Sequence, residues 1–154
     1  MLGACTAFKS DGVWDALTED GVEKSDFKAV HAPNIIYYGA YHGADLVGVY
    51  MVEVRGLTEG VVHTAILKKY RAMSYDCCCS MLQEIFKSMP DRFLKLNTSV
   101  PSDNPLALKM AKAVGFQVEG VNRKSIKKNG KVLDQATLGI TREEAEEKCQ
   151  QYQH

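Results

Sequence analysis

VVHTAILKKYRAMSYDCCCSMLQEIFKSM, residues 61–89, is the stretch from which the rest of the chain is read. It opens as an apolar, β-rich run from Val61 to Ile66 and turns through Leu67, Lys68, Lys69, Tyr70, Arg71 and Ala72. From Met73 onward, Met73, Cys77, Met81, Ile85 and Met89 recur at a helical interval. Pro90 stops the helix. A strand that feeds a short loop and then a helix aims backbone N–H groups at one point, because the first turn of a helix lacks internal partners for its donors. The helix dipole adds partial positive charge there, so the junction is suited to an anion such as phosphate.

Working upstream, Ile35 to Tyr41 reads as a strand, His42 to Asp45 as a turn, and Leu46 to Val54 as the next strand. Gly56 to Gly60 turns again and leads into residues 61–66. Three strands joined by short turns make an antiparallel meander, since parallel strands need long crossovers. The first 33 residues carry weaker signals. Cys5 to Phe8 suits a short strand, and Asp11 suits the cap of a helix that buries Val13, Trp14 and Leu17 and ends at Gly21. Asp26 to His31 suits a second helical piece, ended by Ala32-Pro33. Trp14 is expected to be a core anchor.

Working downstream, Arg92 to Val100 alternates as a strand and can lie parallel to residues 61–66 in a right-handed β-α-β unit. Asn104 or Asp103 caps a helix with Pro105 in its first turn, Leu106, Met110, Ala113 and Val114 on its apolar side, and Gly115 at its end. Phe116 to Ile126 and Val132 to Ile140 are strands joined by a hairpin with an Asn129-Gly130 signal. Thr141 then caps a charged helix from Arg142 to Cys149, with Glu144 as its capping-box partner.

Three blocks, in order and at matching spacing over residues 35–141, resemble the GNAT N-acetyltransferases. The first is Ile66-Leu67-Lys68-Lys69-Tyr70-Arg71-Ala72-Met73-Ser74-Tyr75-Asp76, similar to that family's strand end and Tyr-Arg/Gln-Gly-x-Gly-x-Gly/Ala loop. The second is Asn104-Pro105-Leu106-Ala107 followed by Gly115-Phe116 and Glu119-Gly120. The third, Asn129 to Asp134, resembles the hairpin of the ribosomal-protein N-acetyltransferase subgroup. The resemblance implies an α/β fold, with a mixed, mostly antiparallel sheet splayed between the family's fourth and fifth strands and helices on both faces. One domain is expected over residues 1–154, with a shortened helical opening in residues 1–33 and a C-terminal helix and tail in 142–154.

The resemblance also implies an activity: acetyl transfer from acetyl-CoA to an amine on a small molecule or a protein. The cofactor would lie where the strands splay, with its pantetheine arm against Ile66 and Leu67. Its pyrophosphate would lie on Arg71, Ala72, Met73, Ser74, Tyr75 and Asp76, and Asn104 would bond the pantetheine side. For proton transfer the sequence offers His63, whose ordinary pKa suits a base at neutral pH. Glu53 and Glu59 are nearby carboxylates, and Tyr75 is close in sequence to the cofactor loop. Two departures stand out. The family's usual acid, a tyrosine, is Ala111 here, and Asp76 puts a carboxylate where the family prefers glycine or alanine. A carboxylate in the first turn competes with an anion for the same donors. Both departures leave a second reading in play: a GNAT fold without catalysis, such as a phage-encoded binding or assembly module.

Composition narrows the remaining classes. The 154 residues carry 19 Lys+Arg against 19 Asp+Glu, so no global field draws in nucleic acid or an anionic membrane. Arg123, Lys124, Lys127, Lys128 and Lys131 around the hairpin read as a solvated face. No apolar run approaches the roughly 18 residues of a membrane helix, and the N-terminal residues do not read as a signal peptide. Five cysteines, three of them adjacent as Cys77-Cys78-Cys79, read as reduced helix-packing thiols in a cytoplasmic protein, with the helix start expected to lower the Cys77 pKa. No metal-ligand spacing is seen. Edge strands near the C-terminus leave room for a homodimer.

Overall fold

A computed structural model describes residues 2–152, without the side chains of residues 2, 149 and 152. Three antiparallel strands form the meander that the turn residues dictate: β1 (Ile35–His42), β2 (Asp45–Arg55) and β3 (Glu59–Ile66). A 3-10 turn over residues 68–73 leads into helix α3 (Ser74–Ser88), followed by β4 (Lys95–Pro101) and helix α4 (Pro105–Ala113). The hairpin β5 (Gln117–Lys128) and β6 (Lys131–Thr141) and helix α5 (Arg142–Tyr152) complete the order. The six strands form one sheet in the order β1-β2-β3-β4-β6-β5. Asn129 and Gly130 both have positive φ, 51° and 74°, as a two-residue hairpin turn requires.

Alternation along each strand sorts side chains to two faces. Tyr50, Val52, Val62, Leu96, Val100, Leu138 and Ile140 face a core closed by Leu82, Ile85 and Phe86 of α3 and Ala145 of α5. Val49 and Ala65 face the opposite way, onto Ala4, Ala7 and Phe8. Those three N-terminal residues sit at i, i+3 and i+4, so residues 2–8 form a helix, α1 (Leu2–Phe8), and not the expected strand. Helix α2 (Val13–Leu17) follows, but Gly12, at φ 77°, holds its N-cap in place of Asp11. Residues 26–31 contain no helix; Phe27 instead packs edge-on against Trp14 at 5.8 Å and tilted against Phe8. Trp14 is buried, as expected of a core anchor.

Several other expectations shift. The apolar stripe of α3 is centred on Cys79, Met81, Leu82, Ile85 and Phe86, while Met73, Cys77 and Met89 are only half-buried. In α4, Met110 and Val114 turn to the core as expected, but Leu106 is 78% exposed and Ala113 is exposed, and Ala107, Leu108 and Ala111 take their place. The Asn104 side chain caps that helix by accepting from Ala107 N–H at 3.2 Å. The Thr141–Glu144 capping box forms in both directions, at 2.9 and 3.2 Å. Arg142, beside it, sends its guanidinium to the end of α3, with hydrogen bonds to the carbonyls of Phe86, Met89, Pro90 and Phe93.

Candidate active site

The parallel pairing of β3 with β4 is short: Glu59, Gly60 and Val61 meet Lys95, Leu96 and Asn97, and there it stops. Thr98 closes the apex by donating from its hydroxyl to the Val62 carbonyl at 3.2 Å. Beyond it the strands part, and the expected splay falls between the third and fourth strands of this chain because no strand precedes β1 among the described residues. The expectation that residues 61–66 would run parallel to β4 along their length is therefore met only at Val61.

Which backbone groups line the wedge follows from the ladder. Leu67 N–H donates to the Val47 carbonyl at 2.9 Å, so the residues alternating with Leu67 along β3 point their backbone groups at β2. Thr64 and Ile66 therefore point theirs into the wedge, where β4 no longer reaches them. On the far wall, Ser102 N–H donates to the Asp134 carbonyl at 2.9 Å. Alternating residues of β4 thus serve β6, and the backbone of Ser99 faces the wedge, whereas Pro101 has no N–H and its carbonyl accepts from Asn104 N–H at 3.0 Å. Of the two residues expected to hold a pantetheine arm, Ile66 lines the wedge. Leu67 has both backbone groups engaged, its carbonyl accepting from Tyr70 N–H at 2.8 Å. Thr64 and Ser99 escaped the sequence reading. Their only signal is the two-residue alternation combined with a register between strands far apart in sequence.

The open end of the wedge meets the start of α3. Met73 holds the N-cap and its side chain makes no cap hydrogen bond. Ala72 and Asp76 are exposed, and Ser74 and Tyr75 are half-buried. The Arg71 guanidinium lies against Gly12, so close that a Cβ there would come within 2.8 Å of Nη2. Tyr70 anchors the loop by donating to Asp45 Oδ2 at 2.9 Å. The helix start does not activate Cys77: burial, and then the Asp76 charge, push its thiol up. Cys78 is pushed up to about 11, chiefly by burial, and accepts from the buried Tyr50 hydroxyl at 3.3 Å.

His63 and Tyr75 do not meet. Tyr75 packs with the α3-side core, whereas His63 alternates with Val62 and lies on the face that carries α1 and α2. Met51 and Glu53 share that face, and Glu53 accepts from Arg55 at 3.2 Å. Burial lowers the His63 pKa, with Glu53 opposing and Arg55 reinforcing the shift. The unfolded chain therefore binds the proton first, and stability should be lost as pH falls below the ordinary histidine value of about 6.5. Chemical denaturation of native protein and His63→Gln from pH 7.5 to 5 tests this: the native midpoint should fall more steeply. Parallel curves would refute it.

No protein-family model and no curated protein matches the chain by sequence. Solved structures do match. The spermidine N-acetyltransferase from Vibrio cholerae in complex with CoA and spermine is 16% identical, with a TM-score of 0.66 over 73% of this chain and 69% of that one. The spermidine/spermine N-acetyltransferase SpeG from the same organism, in complex with manganese ions, is 17% identical, with a TM-score of 0.63 over 72% of this chain and 67% of that one. The parted third and fourth strands, the helix entered from the first of them and this similarity together give the chain the GNAT fold.

Proposed function

We propose that the protein is an N-acetyltransferase that takes its acetyl group from acetyl-CoA and transfers it to an amine. The observation that carries this reading is the strip of backbone in the wedge. Thr64 and Ile66 offer N–H and C=O groups with no neighbouring strand, and the strip ends at a helix N-terminus. A linear arm bearing amides fits such an edge as an added strand, and the dipole of α3 favours a pyrophosphate at its start, where Ser74 N–H already donates to the Arg71 carbonyl. Acetyl-CoA carries both and supplies the activated acetyl group. Asn104, with its side-chain oxygen already capping α4, stands at the end of the loop that leaves β4.

His63 is the residue we assign to accept the amine's proton. Its lowered pKa keeps the imidazole neutral and able to do so at neutral pH. The test is a calorimetric titration with acetyl-CoA, followed by thiol release with spermine as the first amine, chosen because a structural neighbour is complexed with it. Binding and transfer are expected. His63→Gln should lower kcat by about 100-fold, and the acid limb of the native pH profile should lie below pH 6.5. Ala111 and Asp76 support the alternative reading: a half-buried alanine has no proton to return, and a carboxylate in the first turn of α3 competes with an anion for the same donors. A chain that binds acetyl-CoA without transfer to any amine would be a binding module.

A further inference from the structure

The two halves of the sheet are joined a second time, away from the β3–β4 ladder. Asp20 lies just past α2, and its carboxylate accepts from Asn129 N–H and Gly130 N–H, both at 2.8 Å. Its own N–H donates to the Lys127 carbonyl at 2.8 Å. Lys128 completes the joint. Its ammonium is buried against the last turn of α2 and donates to the carbonyls of Asp15 and Ala16. This is the favourable place for a cation on a helix, and it corrects the expectation that all the hairpin lysines are solvated. Charge supports the contact: after the two backbone N–H groups, Lys127 and Lys128 help to hold the Asp20 carboxyl below its usual pKa.

The position of this joint gives it meaning. Helix α1 is seated on β2 and β3, on one side of the wedge. The hairpin tip belongs to β5 and β6, on the other side. Only three residue pairs join β3 to β4 by backbone, at the apex. The core under α3 also joins the two halves, but on one face of the sheet, which leaves the far end of the wedge to be tied on the face that carries α1 and α2. The N-terminal segment ties that far end, and it also touches the loop at the helix start through Gly12 and Arg71.

We infer that Asp20 and Lys128 are positioning residues: they clasp the N-terminal segment to the β5–β6 hairpin and thereby fix the opening of the wedge. The ligand consequence rests on the proposed acetyl-CoA site; the mechanical one does not. A wedge held at one width binds an arm that needs both walls without first having to be ordered.

Spin labels carried by unnatural amino acids at exposed Lys68 and Lys131 report the width directly, because one lies on each side. The native chain should show one narrow distance distribution, Asp20→Ala a broad one, and Asp20→Asn, which keeps one acceptor oxygen, an intermediate one. Calorimetry with CoA should give affinity weakened roughly tenfold in Asp20→Ala and less in Asp20→Asn. Unchanged distributions in both variants would overturn the clasp. Broadening with unchanged CoA affinity would overturn its positioning role. Failure of the native chain to bind CoA would remove the proposed function and with it the positioning role, while the distance measurement would still decide the clasp.

Discussion

Arg142→Ala is expected to lower the free energy of unfolding by about 3 kcal/mol, the scale of losing charge-assisted hydrogen bonds that share one donor group. For a chain of this size that is a fall in melting temperature of roughly 6–12 °C. The guanidinium makes four hydrogen bonds, to the carbonyls of Phe93, Phe86, Met89 and Pro90, and lies 5.3 Å from the centre of the Phe86 ring. The last carbonyls of any helix lack internal partners. Here a cation at the start of α5 satisfies the carbonyls of Phe86 in the last turn of α3, of the C-cap Met89, and of Pro90 and Phe93 just beyond, where the helix dipole also favours positive charge. Arg142→Lys should recover little, because one ammonium cannot span four carbonyls in a fork. Calorimetric melting of the three proteins decides it. A loss below about 1 kcal/mol would mean that water replaces the guanidinium.

Thr64→Pro should cost acetyl-CoA affinity on the order of tenfold to a hundredfold while leaving the fold intact. Proline removes the one N–H that residue 64 presents to the wedge. It removes no β2–β3 ladder bond, because that ladder uses the alternate residues. Proline is tolerated in strands where its missing donor faces away from the ladder. One hydrogen bond to a bound amide is worth about 1–3 kcal/mol when its loss strands a polar partner, which gives the stated range. His63→Pro is the contrasting variant, since it deletes a donor turned toward β2 and should unfold the meander. Equal CoA affinity in Thr64→Pro and native protein would mean that the wedge does not hold the arm through its backbone.

The strands and turns were legible because their signals are local. Ile35 to His42 is rich in β-branched and aromatic residues, Asn129-Gly130 specifies its own turn, and Thr141 with Glu144 spells its own cap. The N-terminal helices were not legible because their support lies elsewhere. Residues 13–17 make barely one turn, which depends on Lys128 for its end and on Phe27 to cover Trp14. Leu106 was misassigned to the core side of α4 because the helix buries Ala107, Leu108, Met110 and Ala111, a side set by where β4 delivers it. Of the residues that the sequence offered, Ile66 and the helix start border the wedge, and His63 lies on the face that carries α1 and α2. The sequence did not offer Thr64 and Ser99, whose contribution is backbone and so leaves no side-chain signal.

The hydrogen bonds between Asp20 and the hairpin turn join residues 109 and 110 positions apart, and those from Lys128 to Asp15 and Ala16 span 113 and 112. During synthesis the N-terminal segment leaves the ribosome long before its partner exists. The β1–β3 meander has only short loops to close and can form early. Helix α2, too short to persist alone, must wait. A segment made before the meander is thus completed after it, and truncation before residue 130 should leave that segment open to proteases even with the meander formed.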